Sequence, residues 1–470
     1  AWVGGVMFLV RAVRYLALLV LGGLLSPSEF GLFAALFVII DGLALLQGFG
    51  IGQALIYRKS QTTEAADTSF ILSVFIGAAL VAISWFIAPL VSQFYREPGI
   101  TPLFRAASIV LVIHGFRLVP FRLLEKALDF RKKLAPAVSG SLAYFIVAIF
   151  LALRGAGAWA LVWAEVSSVF FETIAYWLTS TWRPKWVFSR KIALEDLSFG
   201  WLVVGGSALV FAFRSVDRVV LSRLLGTHAL GLYAFAYSIA NLPATLFVRV
   251  LNTVLFPAYT SLGDDRPSQR SLYLRSTSYM SAAALLYAVG LIALGRYFLL
   301  SMYGDKWLEA TVALHALAFF ALFRALFALV GDLLVGTGHP NVFRSITGLQ
   351  LGVAAAGLYF GARTAGIAGV AVVMTVAQFV SLAVGWAAAG RILGLTPGDY
   401  LRAVRGPVVA ALAASAVGAA LVGALPAGGD LPAFAGAVVS TAAVFAAAWW
   451  LADRELRSEV RVLLRRKASS

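Results

Sequence analysis

Seven arginines and no lysine lie inside apolar stretches long enough to cross a bilayer. They are Arg11, Arg14, Arg117, Arg214, Arg218, Arg249 and Arg324. A cation within a membrane span is costly, so each of these side chains must face a cavity or a partner rather than lipid. The planar guanidinium binds phosphate through two parallel hydrogen bonds and keeps its proton. The set therefore predicts recognition of an anionic, phosphate-bearing group inside the membrane.

The spacing of these arginines brings two pairs together. Arg11 and Arg14 are three residues apart, and Arg214 and Arg218 are four apart, so each pair lies on one face of its helix. Together with Arg249 on the following span, they predict a cationic patch near the middle of the membrane. We expect this patch to line a cleft and to bind a phosphate-bearing anion.

A second interpretation of the same arginines is purely structural. In that case Asp217 would bridge Arg214 and Arg218, which lie on either side of it in the chain. Asp41 would neutralise Arg14. The arginines would then tie helices together without contacting a ligand.

Two further groups of charged residues allow both kinds of role. Arg117 and Arg324 occupy corresponding spans, which suggests a shared bond to a neighbouring helix as readily as ligand contact. Glu165 and Glu172 are seven residues apart and therefore share a helix face. They could form a cation or proton site, or could simply be partners for Arg117.

Other reactive chemistry finds little support in the sequence. The chain has no cysteine, and its four histidines are scattered. None of its lysines follows the glycine that a GxxxxGK[ST] phosphate-binding loop requires, so nucleotide binding of that kind is excluded. We predict no catalytic residue, no metal site and no cofactor.

The elements that carry these residues must be membrane helices. Hydrophobic residues make up 61% of the 470 residues, charged residues 13%, and the mean hydropathy is +0.89. Soluble domains are roughly half apolar and about one quarter charged. Apolar stretches separated by charged residues, proline and glycine predict fourteen transmembrane helices. No loop between them is long enough for a soluble domain.

The basic residues report membrane topology. The net charge is +16, but most lysines and arginines fall in short loops rather than in one patch, which argues against nucleic acid as a partner. Of the 38 basic residues, 24 lie on one side of the predicted membrane and 7 on the other. The positive-inside rule places both termini in the cytoplasm, as expected for a multi-pass protein of a bacterial inner membrane. The sequence opens within a span and without an initiator Met, so we expect residues before Ala1.

An internal repeat relates the two halves of the chain. At an offset of 200 residues, Arg14 matches Arg214 and Gly31 matches Gly231. Six predicted spans separate equivalent points, and an even number returns the chain to the same side of the membrane. The halves are therefore parallel, an arrangement that usually surrounds a central cleft.

The offset of the repeat grows to 209 further along, where Arg154 matches Arg363 and Gly157 matches Gly366. The predicted fold is an all-α membrane protein with two parallel six-helix lobes and two extra C-terminal helices. Its parts are an N-terminal lobe (1–181), a basic cytoplasmic linker (182–196), a C-terminal lobe (197–390), two extra helices (391–452) and a basic cytoplasmic tail (453–470).

Five sequence strings, in this order, carry a family resemblance. They are LLSPSEFGLFA from Leu24, GFGIGQALIYRK from Gly48, RLLGTHALGLYAFAYSIANLP from Arg223, VLFPAYTSL from Val254 and YGDKWLEA from Tyr303. Together they resemble the polysaccharide transporter branch of the multidrug, oligosaccharidyl-lipid and polysaccharide exporter superfamily. The resemblance covers the first twelve predicted spans.

The resemblance implies a transporter rather than an enzyme. Proteins of this branch alternate between inward-open and outward-open states and move undecaprenyl-pyrophosphate-linked repeat units to the outer leaflet. The product is O-antigen of lipopolysaccharide, capsule or exopolysaccharide, and a polymerase and glycosyltransferases are the expected protein partners besides membrane lipids. The clefts of these transporters are typically lined with basic residues that attract the pyrophosphate, and Arg11, Arg14, Arg214 and Arg218 lie where the resemblance implies such a lining.

Two alternative functions remain open at this point. A multidrug or cation exporter of the same superfamily would require acidic residues and aromatic walls, which the surplus of arginine disfavours. A membrane-embedded glycosyltransferase or polysaccharide polymerase would usually place catalytic carboxylates on a sizeable outer loop, and the outer loops here are only a few residues long.

Overall fold

The computed structural model describes residues 2–48, 51–58, 62–127, 129, 131–242, 255, 257–263, 265–424 and 431–453. Arg249 and residues 454–470 of the predicted tail lie outside the described residues. In chain order the helices are α1 (Trp2–Leu24), α2 (Pro27–Gly48), α3 (Ile51–Tyr57), α4 (Thr62–Tyr95), α5 (Ile100–Lys126), α6 (Leu134–Leu153), α7 (Ala158–Thr179), α8 (Arg190–Ala240), α9 (Arg266–Tyr303), α10 (Ala310–Gly336), α11 (Pro340–Leu393), α12 (Pro397–Ala424) and α13 (Leu431–Ala452). A short 3₁₀ turn, Gly304–Trp307, follows α9.

Eleven of the described helices are long and apolar enough to cross a membrane. The predicted fold class, an all-α polytopic membrane protein, is confirmed, and the described residues contain no β-strand. Two of these helices are interrupted by non-helical residues, α8 at Gly226 and α11 at Ala365 and Gly366. Apolar periodicity predicts spans at about 197–223 and 228–257 and at about 343–362 and 366–390, which end and restart close to both interruptions. The total of fourteen spans stays a prediction.

The chain forms two compact units, Ala1–Ala234 and Phe235–Ser470. The first contains α1 to α7 and most of α8. Within the stretch that the sequence marks as a linker, residues 182–196, helix α8 already begins at Arg190. In the second unit, α9 packs against α10, α12 and α13, so the two C-terminal helices are part of its helix packing.

Two turns, one in each unit, share the geometry that the repeat predicts. Gly157 has φ 57° and ψ −134°, and Gly366 has φ 56° and ψ −134°. Positive φ is easily adopted only by glycine, which lacks a Cβ. In both turns the preceding arginine covers an aromatic ring four residues earlier in the chain, Arg154 at 4.8 Å and Arg363 at 5.4 Å. The match at offset 209 therefore reflects equivalent local structure.

A close helix crossing in the first unit also joins repeat-equivalent positions. A Cβ added to Gly31 on α2 would overlap the carbonyl group of Thr227 on α8. A Cβ added to Gly231 would overlap the carbonyl group of Pro27. Both contacts are between backbones, and each joins positions whose counterparts lie 200 residues away in the other contact. The two glycines allow the backbones of α2 and α8 to approach closely. Small residues commonly have this role between membrane helices.

Candidate functional site

A half-exposed arginine side chain, that of Arg14, is held in place where α6 packs against α1 and α7. Arg14 on α1 donates a hydrogen bond from Nη2 to Oγ of Ser168 on α7, at 2.7 Å. The same Nη2 lies 3.5 Å from Oε2 of Glu165. The guanidinium carbon is 4.9 Å from the centre of the Tyr144 ring on α6. The Arg14 side chain is nevertheless 44% exposed, whereas that of Glu165 is 19% exposed.

A second arginine–glutamate pair lies one heptad along α7. Arg117 on α5 donates from Nη1 to Oε2 of Glu172 at 2.5 Å. Their side chains are 26% and 22% exposed. This pair is shorter and more enclosed than that of Arg14, as expected for an ion pair that ties two helices together. Arg14, with several N–H donors and an exposed face, keeps capacity for an additional anionic partner.

The two glutamates on the shared face of α7 therefore have different partners. Glu165 meets Arg14 from α1, and Glu172 meets Arg117 from α5. The structure thus places both acids opposite cations. Among the described residues, no three His, Cys, Asp or Glu side chains come together in a group that could hold a metal ion.

Asp41 on α2 connects this region to α8. Its carboxylate is attracted by the opposite charge of Arg218 and repelled by the like charge of Glu165. The structure pairs Arg14 with Glu165 rather than with Asp41. The acids and cations of α1, α2, α7 and α8 thus form one charged region inside the first unit.

Asp217 has well-defined hydrogen-bond donors. Its carboxylate is 1% exposed and accepts from the Tyr233 hydroxyl at 2.7 Å and from the Arg218 backbone N–H at 2.8 Å. Arg214 is exposed, while Arg218 and Arg11 are half-buried. The short hydrogen bond that the Tyr233 hydroxyl donates fixes the Asp217 carboxylate on α8, where it balances the charge of Arg218.

Arg324 belongs to a separate network in the second unit. Its Nη1 lies 2.8 Å from Oδ1 of Asn241 and 3.1 Å from the Tyr237 hydroxyl. These bonds join α10 to α8 and to the residue that follows it. Arg117 and Arg324, equivalent in the repeat, are thus both bonded to a neighbouring segment. Their surroundings resemble helix ties more than a ligand site.

Several residues of the site were not expected from the sequence. Ser168 lies three residues after Glu165 and so shares its helix face. This spacing could have predicted that Ser168 lies in the site. Tyr144 carries no such signal, because only the packing of α6 against α1 and α7 brings its ring beneath Arg14. Tyr233 and Asn241 likewise acquire their partners through tertiary contacts.

The two arginine–glutamate pairs predict different losses of stability when the glutamate is replaced. Glu172→Gln is expected to destabilise the protein by about 2 kcal/mol, somewhat less than a fully buried pair because both side chains are partly exposed. Glu165→Gln should cost less, because its partner is half-exposed and 3.5 Å away. Thermal unfolding of the purified protein in detergent measures both. If Glu165→Gln lowered the stability as much as Glu172→Gln, the Arg14–Glu165 pair would contribute as much to the fold as the Arg117–Glu172 pair.

Comparison with known proteins supplies the family. The profile of a family described as polysaccharide biosynthesis protein matches residues 20–312. The chain belongs to this family. The resemblance to polysaccharide transporters is confirmed, and the matched region includes α2 to α7 together with Arg117, Glu165 and Glu172.

Curated relatives of this family member have related names. The chain is 27% identical to the succinoglycan biosynthesis transport protein ExoT of Rhizobium meliloti over 65% of its own length and 62% of that protein. It is 24% identical to the lipopolysaccharide biosynthesis protein WzxC of Escherichia coli, over 77% of its own length and 74% of that protein. The match thus covers less than two thirds of ExoT but nearly three quarters of WzxC.

Solved structures share the fold of this family member. The lipid II flippase MurJ in an inward closed conformation superimposes with a TM-score of 0.75, covering 94% of this chain and 98% of that one, at 13% identity. An inward-facing multidrug resistance transporter of the MATE family gives a TM-score of 0.65 over 81% and 94% of the two chains, at 19% identity. At such low identity the similarity concerns the fold.

Proposed function

We propose that this protein is a flippase for undecaprenyl-pyrophosphate-linked oligosaccharide repeat units. It carries them from the cytoplasmic to the outer leaflet by alternating access, and the repeat units are used for polysaccharide export. The family match and the names of the relatives support a role in polysaccharide biosynthesis, and the fold is one that transporters share.

The observation that carries this proposal is the Arg14 side chain, which is 44% exposed on α1, a helix that the sequence predicts to cross the membrane. Ser168 and Tyr144 both contact the guanidinium, while Glu165 is its only acidic partner within 4 Å among the described residues. A preorganised cation that is still accessible suits a doubly charged pyrophosphate. A bidentate arginine–phosphate contact is stronger than a single 3.5 Å contact to a carboxylate, so the cargo can displace Glu165.

The proposed cycle follows from this exchange of partners. The pyrophosphate binds Arg14, with Arg11, Arg214 and Arg218 adding positive potential, while the polyprenyl tail remains in the bilayer. Glu165 then re-forms its pair with Arg14 when the cargo leaves, so that the empty site does not retain an uncompensated charge. Exposure of the site alternates between the two sides of the membrane during the cycle.

The proposed setting is the bacterial inner membrane, with both termini in the cytoplasm. The cargo is supplied by glycosyltransferases at the cytoplasmic face and consumed by a polymerase at the outer face. These enzymes are the proposed functional partners. The protein itself contributes binding and exposure of the site, without bond-making chemistry.

Deletion of the gene, followed by leaflet-resolved detection of lipid-linked repeat units, tests the proposal. Accumulation at the cytoplasmic face, reversed by the intact gene, is the expected result. Accumulation at the outer face would contradict it and would indicate a polymerase. Unchanged distribution of repeat units together with altered drug sensitivity would instead indicate a multidrug exporter.

A further inference from the structure

A segment outside the charged site, residues 182–197, is held firmly against the first unit. It follows the end of α7 and contains the first two turns of α8. The backbone N–H of Lys185 donates to Oδ1 of Asp67 at 3.2 Å, and that of Ser189 donates to Oγ1 of Thr68 at 3.1 Å. The first turns of α4 therefore fix the extended part of this segment in place.

The inner side of the segment is also anchored. Asp196 is 1% exposed and accepts from Arg58 at 3.0 Å and from Ser69 at 2.9 Å. Burial raises the pKa of the Asp196 carboxyl, while the hydrogen bonds from Ser69 and Arg58 oppose that shift. Arg58 also bonds the exposed Glu195, and Ile192 is buried in an apolar cluster. One face of this first part of α8 thus belongs to the protein interior.

The outer side of the segment combines two kinds of side chain that rarely share a water-facing surface. Large apolar groups are exposed: Trp186 by 73%, Leu194 by 57% and Phe188 by 53%. Exposed cations alternate with them: Lys185, Arg190 and Lys191. Exposed apolar groups close to charged ones in the chain are typical of an interaction surface.

The backbone at Trp186 supports a specific role for this exposed residue, whose ring touches that of Phe70 edge-on with the centroids 6.0 Å apart. Trp186 has φ 58°, in the left-handed region that large side chains seldom adopt. The flanking hydrogen bonds of Lys185 and Ser189 maintain this conformation. Strain that the surroundings enforce on an exposed residue is typical of a binding position.

We propose that the outer side of residues 182–197 binds the headgroups of anionic phospholipids at the membrane surface. The membrane-spanning helix α7 ends at Thr179, only three residues before this segment. Tryptophan and phenylalanine favour the headgroup level of a bilayer, and lysine and arginine are attracted to anionic lipid. The topology predicted from the basic loops places the segment at the cytoplasmic leaflet. The surface is separate from Arg14 and does not depend on the identity of the cargo.

The absence of cysteine from the chain allows a direct test. Phe188→Cys provides a single site for an environment-sensitive fluorophore, and the labelled protein is reconstituted into vesicles containing a lipid with a headgroup-level quencher. We expect strong quenching in vesicles of phosphatidylcholine with phosphatidylglycerol and weaker quenching in phosphatidylcholine alone. Added salt should reduce quenching only in the anionic vesicles, because it screens the charges.

A charge variant and a matched control sharpen this test. Lys185→Gln, Arg190→Gln and Lys191→Gln together should abolish most of the difference between the two vesicle types, because the loss of three cations near the surface weakens anionic-lipid binding roughly a hundredfold. The control replaces three exposed arginines of the second unit: Arg344→Gln, Arg391→Gln and Arg405→Gln. It removes the same charge and should leave the difference intact.

Several outcomes would overturn the proposal. One is equal quenching in both vesicle types with no effect of salt, which the unsubstituted labelled chain alone can reveal. Another is a loss of the difference in the control as large as in the charge variant. A label that is shielded only in native membranes, and not in anionic vesicles, would assign the surface to a protein partner instead.

Discussion

Arg14→Ala is expected to abolish polysaccharide export while leaving the protein folded and inserted in the membrane. The substitution removes the accessible guanidinium that would pair with pyrophosphate. Hydrogen bonds to charged groups contribute about 1.5–3 kcal/mol each, so cargo binding should fall roughly ten- to a hundredfold or more. Export in a deletion strain carrying the variant measures the loss. Membrane content of the protein and its melting temperature report on folding.

Three companion variants separate ligand binding from structure. Arg14→Lys keeps the charge but loses the planar fork, so export should be reduced rather than absent. Arg214→Ala, at the equivalent position of the repeat, should also impair export. Arg154→Ala is the matched control, because Arg154 also covers an aromatic ring, at 4.8 Å, but at the end of α6 away from the charged region. Normal export in both Arg14→Ala and Arg214→Ala would refute the phosphate site.

The second large effect concerns the crossing of α2 and α8. Gly231→Ala is expected to destabilise the protein at or above the upper end of the ~1–3 kcal/mol typical of overpacking. The added Cβ meets the backbone carbonyl of Pro27, so no change of side-chain rotamer can relieve the overlap. The helices must separate instead. Gly31→Ala should behave alike, because it meets the carbonyl of Thr227.

Gly290→Ala provides the matched control for these substitutions. A Cβ at Gly290, within α9, would meet no other atom within 4 Å. Helix propensity alone then favours alanine over glycine, by up to about 1 kcal/mol. Melting temperatures of the purified variants in detergent should therefore fall for Gly31→Ala and Gly231→Ala and should not fall for Gly290→Ala. Equal melting temperatures in all three would mean that the crossing is loose.

Part of this protein can be understood from the order of its residues alone. Hydropathy identified an all-α membrane protein because the thickness of the bilayer imposes a minimum length on every apolar helix. The repeat was visible because local turns preserve their glycines, as Gly157 and Gly366 do with nearly identical dihedral angles. Short strings around Leu24 and Arg223 were sufficient to indicate the family that the profile match established.

The partners of the charged residues required the tertiary structure. The spacing of Glu165 and Glu172 placed both on one face of α7. It did not show that each would pair with a different arginine from a different helix. The sequence suggested Asp41 as the acidic partner of Arg14, whereas the structure pairs Arg14 with Glu165. Similarly, the sequence marked residues 182–196 only as a basic linker, whereas the structure shows which side is anchored and which is exposed.

The sequence reveals some features and not others because some depend on neighbouring residues and others on residues far apart in the chain. Helical periodicity and hydropathy are local properties, so a chain displays them in every window of its sequence. The contact between Arg14 and Ser168 joins residues 154 positions apart and exists only because α1, α6 and α7 pack together. The sequence by itself thus determined the kind of protein and the arginine set that its membrane spans contain. Which of those arginines is paired with a neighbouring helix, and which keeps a half-exposed side chain, was decided by packing.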